Sequence, residues 1–180
     1  MNIEKSTINK LRITDVERID LLNVLYEDIE PGKGRVIIEC YGKSWTSYWS
    51  AIGKNRKITQ FFIDCNNEYL FDRFAARSDR LVEDIDAIII KAKKHIIQLR
   101  KDASITEFNA RELWEKALNI ESVEQDYSVL NEIFEEDEDW NHDIPYKDSS
   151  DYVYLCKIFN VVREAFQKII NSNDFEQIVA

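Results

Sequence analysis

The fold is decided by Leu21-Leu-Asn-Val-Leu-Tyr-Glu-Asp-Ile-Glu30, then Pro31-Gly-Lys-Gly34, then Arg35-Val-Ile-Ile-Glu-Cys-Tyr41. Leu22, Val24 and Tyr26 share one parity, as the core-facing side of a strand requires, although Leu21, Leu25 and Ile29 blur the alternation. Proline followed by glycine is turn chemistry, and the β-branched run after it reads as a returning strand. Residues 21–41 are therefore predicted to form a β-hairpin. Upstream, Ile8 to Ile13 alternates roughly and adds a strand, while Asp15 to Asp20 reads as a loop or a short helix.

Beyond Gly42 the apolar spacing changes. Trp45, Tyr48, Trp49 and Ile52 stand at i, i+3, i+4 and i+7, which predicts a short helix with Ser44 as N-cap and Gly53 as its stop. Ile58, Phe61, Phe62 and Cys65 predict a second helix. From Ser78 onward the pattern is helical. One stripe of Ile85, Ile88, Ile89, Ala92, Ile96 and Leu99 predicts a helix over about 80–101. Capping boxes at Ser104–Glu107 and Ser122–Gln125 open two more helices. A polar loop, 136–148, precedes a last helix carrying Tyr152, Leu155, Phe159, Val162, Phe166 and Ile169. The expected class is α+β: an N-terminal hairpin or small antiparallel sheet with short helices over 1–77, then an acidic helical bundle over 78–180.

The chain's 180 residues suffice for one domain or two small ones. No apolar run approaches the length of a membrane span, and Met1 to Lys5 begins no signal-type apolar segment. Cys40, Cys65 and Cys156 are odd in number and widely spaced, as buried thiols in a reducing compartment would be. These features predict a cytoplasmic protein. The net charge of −10 is unevenly spread: 18 basic and 16 acidic residues run up to Ile105, against 6 and 18 after it. An acidic surface of this kind repels nucleic acid and attracts basic partners, or simply keeps the protein in solution.

Chemistry-bearing motifs are scarce. Asp137, Asp139, Asn141, Asp143 and Asp148 fall at positions 1, 3, 5, 7 and 12 of a twelve-residue segment, the oxygen spacing of a calcium loop. Yet His142 replaces the glycine of the sharp turn and Asp148 replaces the long bidentate glutamate, so a solvated acidic loop is the stronger reading. The two histidines, His95 and His142, and the three cysteines have no metal-ligand spacing. No nucleophile or phosphate-loop signature occurs, so neither an enzymatic activity nor a cofactor is expected. Trp45 and Trp49 beside Lys43, Lys54, Arg56 and Lys57 would suit base stacking and phosphate contact, although helical spacing favours core packing for the two indoles.

Two stretches, Asn2-Ile-Glu-Lys-Ser-Thr-Ile-Asn-Lys-Leu-Arg-Ile-Thr-Asp-Val-Glu-Arg-Ile-Asp20 and Ile38-Glu-Cys-Tyr-Gly-Lys-Ser-Trp-Thr-Ser-Tyr-Trp49, resemble small accessory proteins encoded by tailed phages and prophages of enteric bacteria. The resemblance covers about the first 70 residues and brings no site residues with it. It implies a setting in the host cytoplasm, where such proteins bind and disable host machinery. Joined to the charge asymmetry, it gives the leading expectation: an acidic inhibitor or nucleic-acid mimic. Glu132, Glu135, Glu136, Asp137, Glu138 and Asp139 would then stand in for phosphates against a basic host protein, such as a CRISPR effector or another nucleic-acid-handling protein. Direct nucleic-acid binding through the N-terminal half is the alternative, and a divergent calcium site the second. No membrane partner is expected.

Overall fold

A computed structural model describes residues 1, 3, 7–135 and 139–178, with backbone alone from 173. The chain divides into two compact units. The first joins 1–78 to 150–180, and the second is the segment 79–149 set between them.

The first unit is built on a four-stranded antiparallel meander: β1 (Asn9–Ile13), β2 (Leu22–Glu30), β3 (Lys33–Cys40) and β4 (Lys43–Trp49), paired in that order. The β2–β3 hairpin lies where the sequence placed it, with Gly32 at φ +79° in the turn, the left-handed value that a type II turn demands after proline. The segment expected to be a helix over 45–52 is instead strand β4 as far as Trp49. Tyr41 and Gly42 both take positive φ, 46° and 76°, and make the two-residue turn that folds β4 back on β3. Trp45, Ser47 and Trp49 also share a parity, and pairing with β3 selects that period over the helical one. Leu11, Val24, Ile38 and Trp45 stand directly opposite one another across the four strands, on the covered face.

That face is covered by α1 (Ile58–Asp64), α2 (Asn67–Phe74) and α6 (Ser150–Ile178). Ile58 N–H donates to Asp28 Oδ1 at 2.7 Å, tying the first turn of α1 to β2. Asn66 caps α2 by accepting from Tyr69 N–H at 2.8 Å. The Phe62 ring lies 5.5 to 6.2 Å, edge-on, from Phe74, Phe159 and Phe166. Arg163 fastens α6 to the α1–α2 corner, donating to the Cys65 carbonyl at 2.6 Å and to Asn67 Oδ1 at 2.7 Å.

The helix expected to complete a C-terminal bundle therefore belongs to the first unit. Its stripe of Leu155, Ile158, Phe159, Val162 and Phe166 is fully or nearly fully buried there. An amphipathic stripe shows that a face is buried and leaves open what it is buried against.

In the second unit, β5 (Leu81–Glu83) pairs antiparallel with β6 (Tyr146–Asp148), so the two ends of the segment meet. Ser149 N–H donates to the Arg80 carbonyl at 2.7 Å beside that ladder. The helix expected from residue 80 begins only after β5, as α3 (Ile85–Lys101), with Asp84 accepting from Ala87 N–H. α4 (Glu107–Leu118) is capped by Thr106 rather than Ser104. The Ser122 hydroxyl accepts from Gln125 N–H at 3.1 Å, as a capping box would have it, but in a turn that precedes α5 (Tyr127–Ile133). Ile88, Ala92 and Ile96 pack with Leu113, Ala117, Leu130, Ile133 and Phe134 in a separate core. Among the described residues no helix is long and apolar enough to cross a membrane.

Candidate protein-binding surface

Dividing the charge by unit sharpens the asymmetry. Residues 79–149 hold 19 acidic and 9 basic side chains, and the remaining chain holds 15 of each. The entire net charge of −10 therefore belongs to the second unit.

Part of that charge converges where α4 meets α5. A groove of about 300 Å³ there is lined by Glu112, Glu132 and Glu135, with Ser104 and Asn109 beside them and Leu113 and Ile133 beneath. Lys116 sits at its edge, 2.8 Å from Glu132 and 3.0 Å from Glu112. Hydrogen bonding to Glu132, and then to Glu112, holds the Lys116 ammonium above the ordinary lysine range. One cation thus serves two carboxylates, and Glu135 adds a third, so the groove keeps an acidic character.

The neighbouring loop is pinned by aromatic packing. Asp139 precedes a short 3₁₀ turn, Trp140–His142. The Trp140 indole stacks on Phe134 and donates to Asn131 Oδ1 at 2.9 Å. Lys91 reaches from α3 to the Asp143 carboxylate at 3.0 Å and to its carbonyl at 3.1 Å. Lys147 bridges Asp84 and Asp86, and its hydrogen bond holds the Asp84 carboxyl below the usual carboxylate range.

Of the six acidic residues singled out in the sequence, Glu132 and Glu135 share the groove, and Asp139 lies apart at the 3₁₀ turn. Glu136, Asp137 and Glu138 lie outside the described residues. Glu112 was missed, although Glu112 and Lys116 at i, i+4 were a legible signal of an ordered ion pair.

The calcium spacing is not gathered into a loop by the described residues. Asp143 is engaged by Lys91, and Asp148 lies in strand β6, opposite Leu81, where a calcium loop would pass into a helix. Asp137 is outside the described residues. Among the described residues no three His, Cys, Asp or Glu side chains are grouped to hold a metal.

The aromatic–basic alternative is likewise dispersed. Trp49 is buried, and its indole N–H donates to the Tyr69 hydroxyl at 2.9 Å. Trp45 faces the same core. Arg56 pairs with Asp64 and lies over Phe61, and Lys54 and Lys57 flank it in the loop after β4. Lys43 lines a separate hollow of about 530 Å³ with Asp20, Glu39 and Tyr41, at the far end of β4. The two indoles are therefore committed to packing rather than stacking on bases.

No curated protein and no solved structure matches the chain. A protein-family model, Phage_phiTE_072, described as a phage family, matches residues 1–168. The likeness is thus not confined to the first 70 residues but runs through the acidic unit and into α6. The chain belongs to this phage protein family.

Proposed function

We propose that this phage protein works by binding a host protein with a basic surface, through the acidic unit 79–149. The observation that carries the reading is the placement of the whole net charge on that unit, while the rest of the chain is balanced. Glu112, Glu132 and Glu135 form the ordered part of the binding surface, standing where phosphate oxygens would stand against Lys and Arg side chains. A protein that handles nucleic acid offers such a surface, so the chain would compete with the nucleic acid. A host defence complex is one candidate of this kind.

Carboxylates meeting a basic surface give fast association and affinity that falls as salt rises. The test is capture from host lysate by the wild type and by a Glu112→Gln/Glu132→Gln/Glu135→Gln variant, each at low and high salt. A protein held by the wild type at low salt, and lost in the variant and at high salt, supports the reading. Capture that is the same in all four conditions, or no capture by the wild type, overturns it.

A further inference from the structure

The outer side of the α3–α4 hairpin carries a surface that the proposed function does not use. From Ala87 to Lys101, α3 contains no acidic residue. Ile90, Lys93, Lys94, Ile97 and Lys101 follow one another at i, i+3, i+4, i+7 and i+11, one solvent-facing strip. Ile90 is 53% exposed and Ile97 44%. On α4 the outer strip is Glu107, Phe108, Arg111, Glu115 and Leu118, with Phe108 75% exposed and Leu118 46%. Between the strips lies a hollow of about 360 Å³, floored by Ile97, Ala110 and Trp114 and rimmed by Arg100, Glu107 and Glu115. Lys93 stands over the Trp114 ring at 5.1 Å, and Arg111 pairs with Glu107 at 2.7 Å. Among the described residues no carboxylate pairs with Lys93, Lys94 or Lys101.

We infer that this face binds a second copy of the chain, in a two-fold arrangement that lays α3 of each copy on α4 of the other. Two features single out a second copy as the occupant. First, the hairpin is self-complementary in charge: α3 presents Lys93, Lys94 and Lys101, and α4 presents the Glu115 carboxylate beside Glu107, which Arg111 of the same helix already holds. A two-fold axis brings each set onto the opposite one twice over. Second, it offers both a knob and a socket. Phe108 is 75% exposed and follows Glu107 on the rim of the apolar hollow beside Trp114, so each copy can seat its phenyl group in the other's hollow. Four exposed large apolar side chains on one hairpin would be covered together, as at the core of an interface.

The test is the molar mass of the full chain by sedimentation equilibrium over about a thousandfold range of concentration. The wild type is expected to pass reversibly from monomer to dimer. Phe108→Ser should weaken the dimer by at least about tenfold, as loss of a buried aromatic anchor does. Lys93→Glu/Lys94→Glu/Lys101→Glu should weaken it likewise. Adding Glu107→Lys and Glu115→Lys to that variant should restore the dimer, because both charge sets are then exchanged in both copies. Circular dichroism confirms that each of these surface variants is folded. A wild type that stays monomeric throughout overturns the inference, as does a dimer that none of the changes affects.

Discussion

Gly34 lies so close beneath Ile58 that a methyl group on its α-carbon would stand 2.7 Å from the Ile58 Cβ and 2.9 Å from its Cδ1. The sheet and the first covering helix meet there without an intervening side chain, and Ile58 is completely buried. Gly34→Ala must therefore push α1 away from β3 or force Ile58 off its rotamer. The expected cost is about 1–3 kcal/mol, the usual range for overpacking. Chemical denaturation of the variant should show a lowered midpoint with an unchanged slope.

The Cys40 thiol and the Tyr154 hydroxyl lie 3.3 Å apart in the first unit. That hydrogen bond, then burial, pushes the Tyr154 pKa up to about 12. The folded state keeps the phenol proton at pH values where the unfolded chain, with a tyrosine near 10, has lost it. The stabilisation from this group is thus fully present below pH 10 and is lost between pH 10 and about 12. Tyr154→Phe should flatten that alkaline decline, read as the unfolding midpoint at successive pH values. Absorbance of tyrosinate should show one late-titrating residue fewer in the variant than in the wild type, where burial also holds Tyr26 above the ordinary tyrosine range.

Lys116 is half-buried at the edge of the acidic groove, pairing with Glu112 one turn away on α4 and with Glu132 on α5. Lys116→Gln should leave the thermal midpoint nearly unchanged, as is usual for surface pairs. It should strengthen capture of a basic partner, because Glu112 and Glu132 lose their internal counter-ion. The paired measurements are a melting curve and the capture assay at low salt.

Trp140 is 6% exposed and stacks on Phe134, with 18° between the rings. Trp140→Ala removes the stack and leaves Asn131 Oδ1 without its donor. A loss of about 3–5 kcal/mol is expected, the range for large aromatic truncations. Hydrogen exchange should locate the loss in residues 139–149 and α5 and leave the meander protected.

The β2–β3 hairpin and the helices α1 and α3 were legible because local signals agreed: turn chemistry at Pro31-Gly32, and unbroken helical stripes elsewhere. Residues 45–52 were misread because Trp45, Ser47 and Trp49 satisfy one period while Trp45, Tyr48, Trp49 and Ile52 satisfy the other. Pairing with β3 decides between them, and that pairing is not local. The Tyr41-Gly42 turn was the missed clue. The first unit takes up the chain again at Ser150, and nothing in α6 itself names the surface it covers. The acidic groove was half legible: Glu132 and Glu135 stood in a visible charge run, whereas Glu112 joins them only through the packing of α4 on α5.

Because Arg80 and Ser149 are joined by a 2.7 Å hydrogen bond, the segment between them is closed on itself at its base. Replacing 81–148 with a short flexible link should leave the first unit folded, since among the described residues its core is built from side chains outside that segment. Circular dichroism and the denaturation midpoint of the shortened chain are the measures.

The same arrangement fixes an order of events at the ribosome. The meander, α1 and α2 are synthesised first, but Leu155, Ile158, Phe159, Val162 and Phe166, which complete their core, come from the last helix. The middle unit has all its strands and helices when residue 149 emerges, and it can close while the earlier-made meander, with α1 and α2, still lacks the part of its cover that α6 supplies. The last-made helix is the one that finishes the first-made sheet. A stalled or truncated chain lacking α6 should therefore be the species that aggregates or meets a chaperone, with its acidic middle already folded.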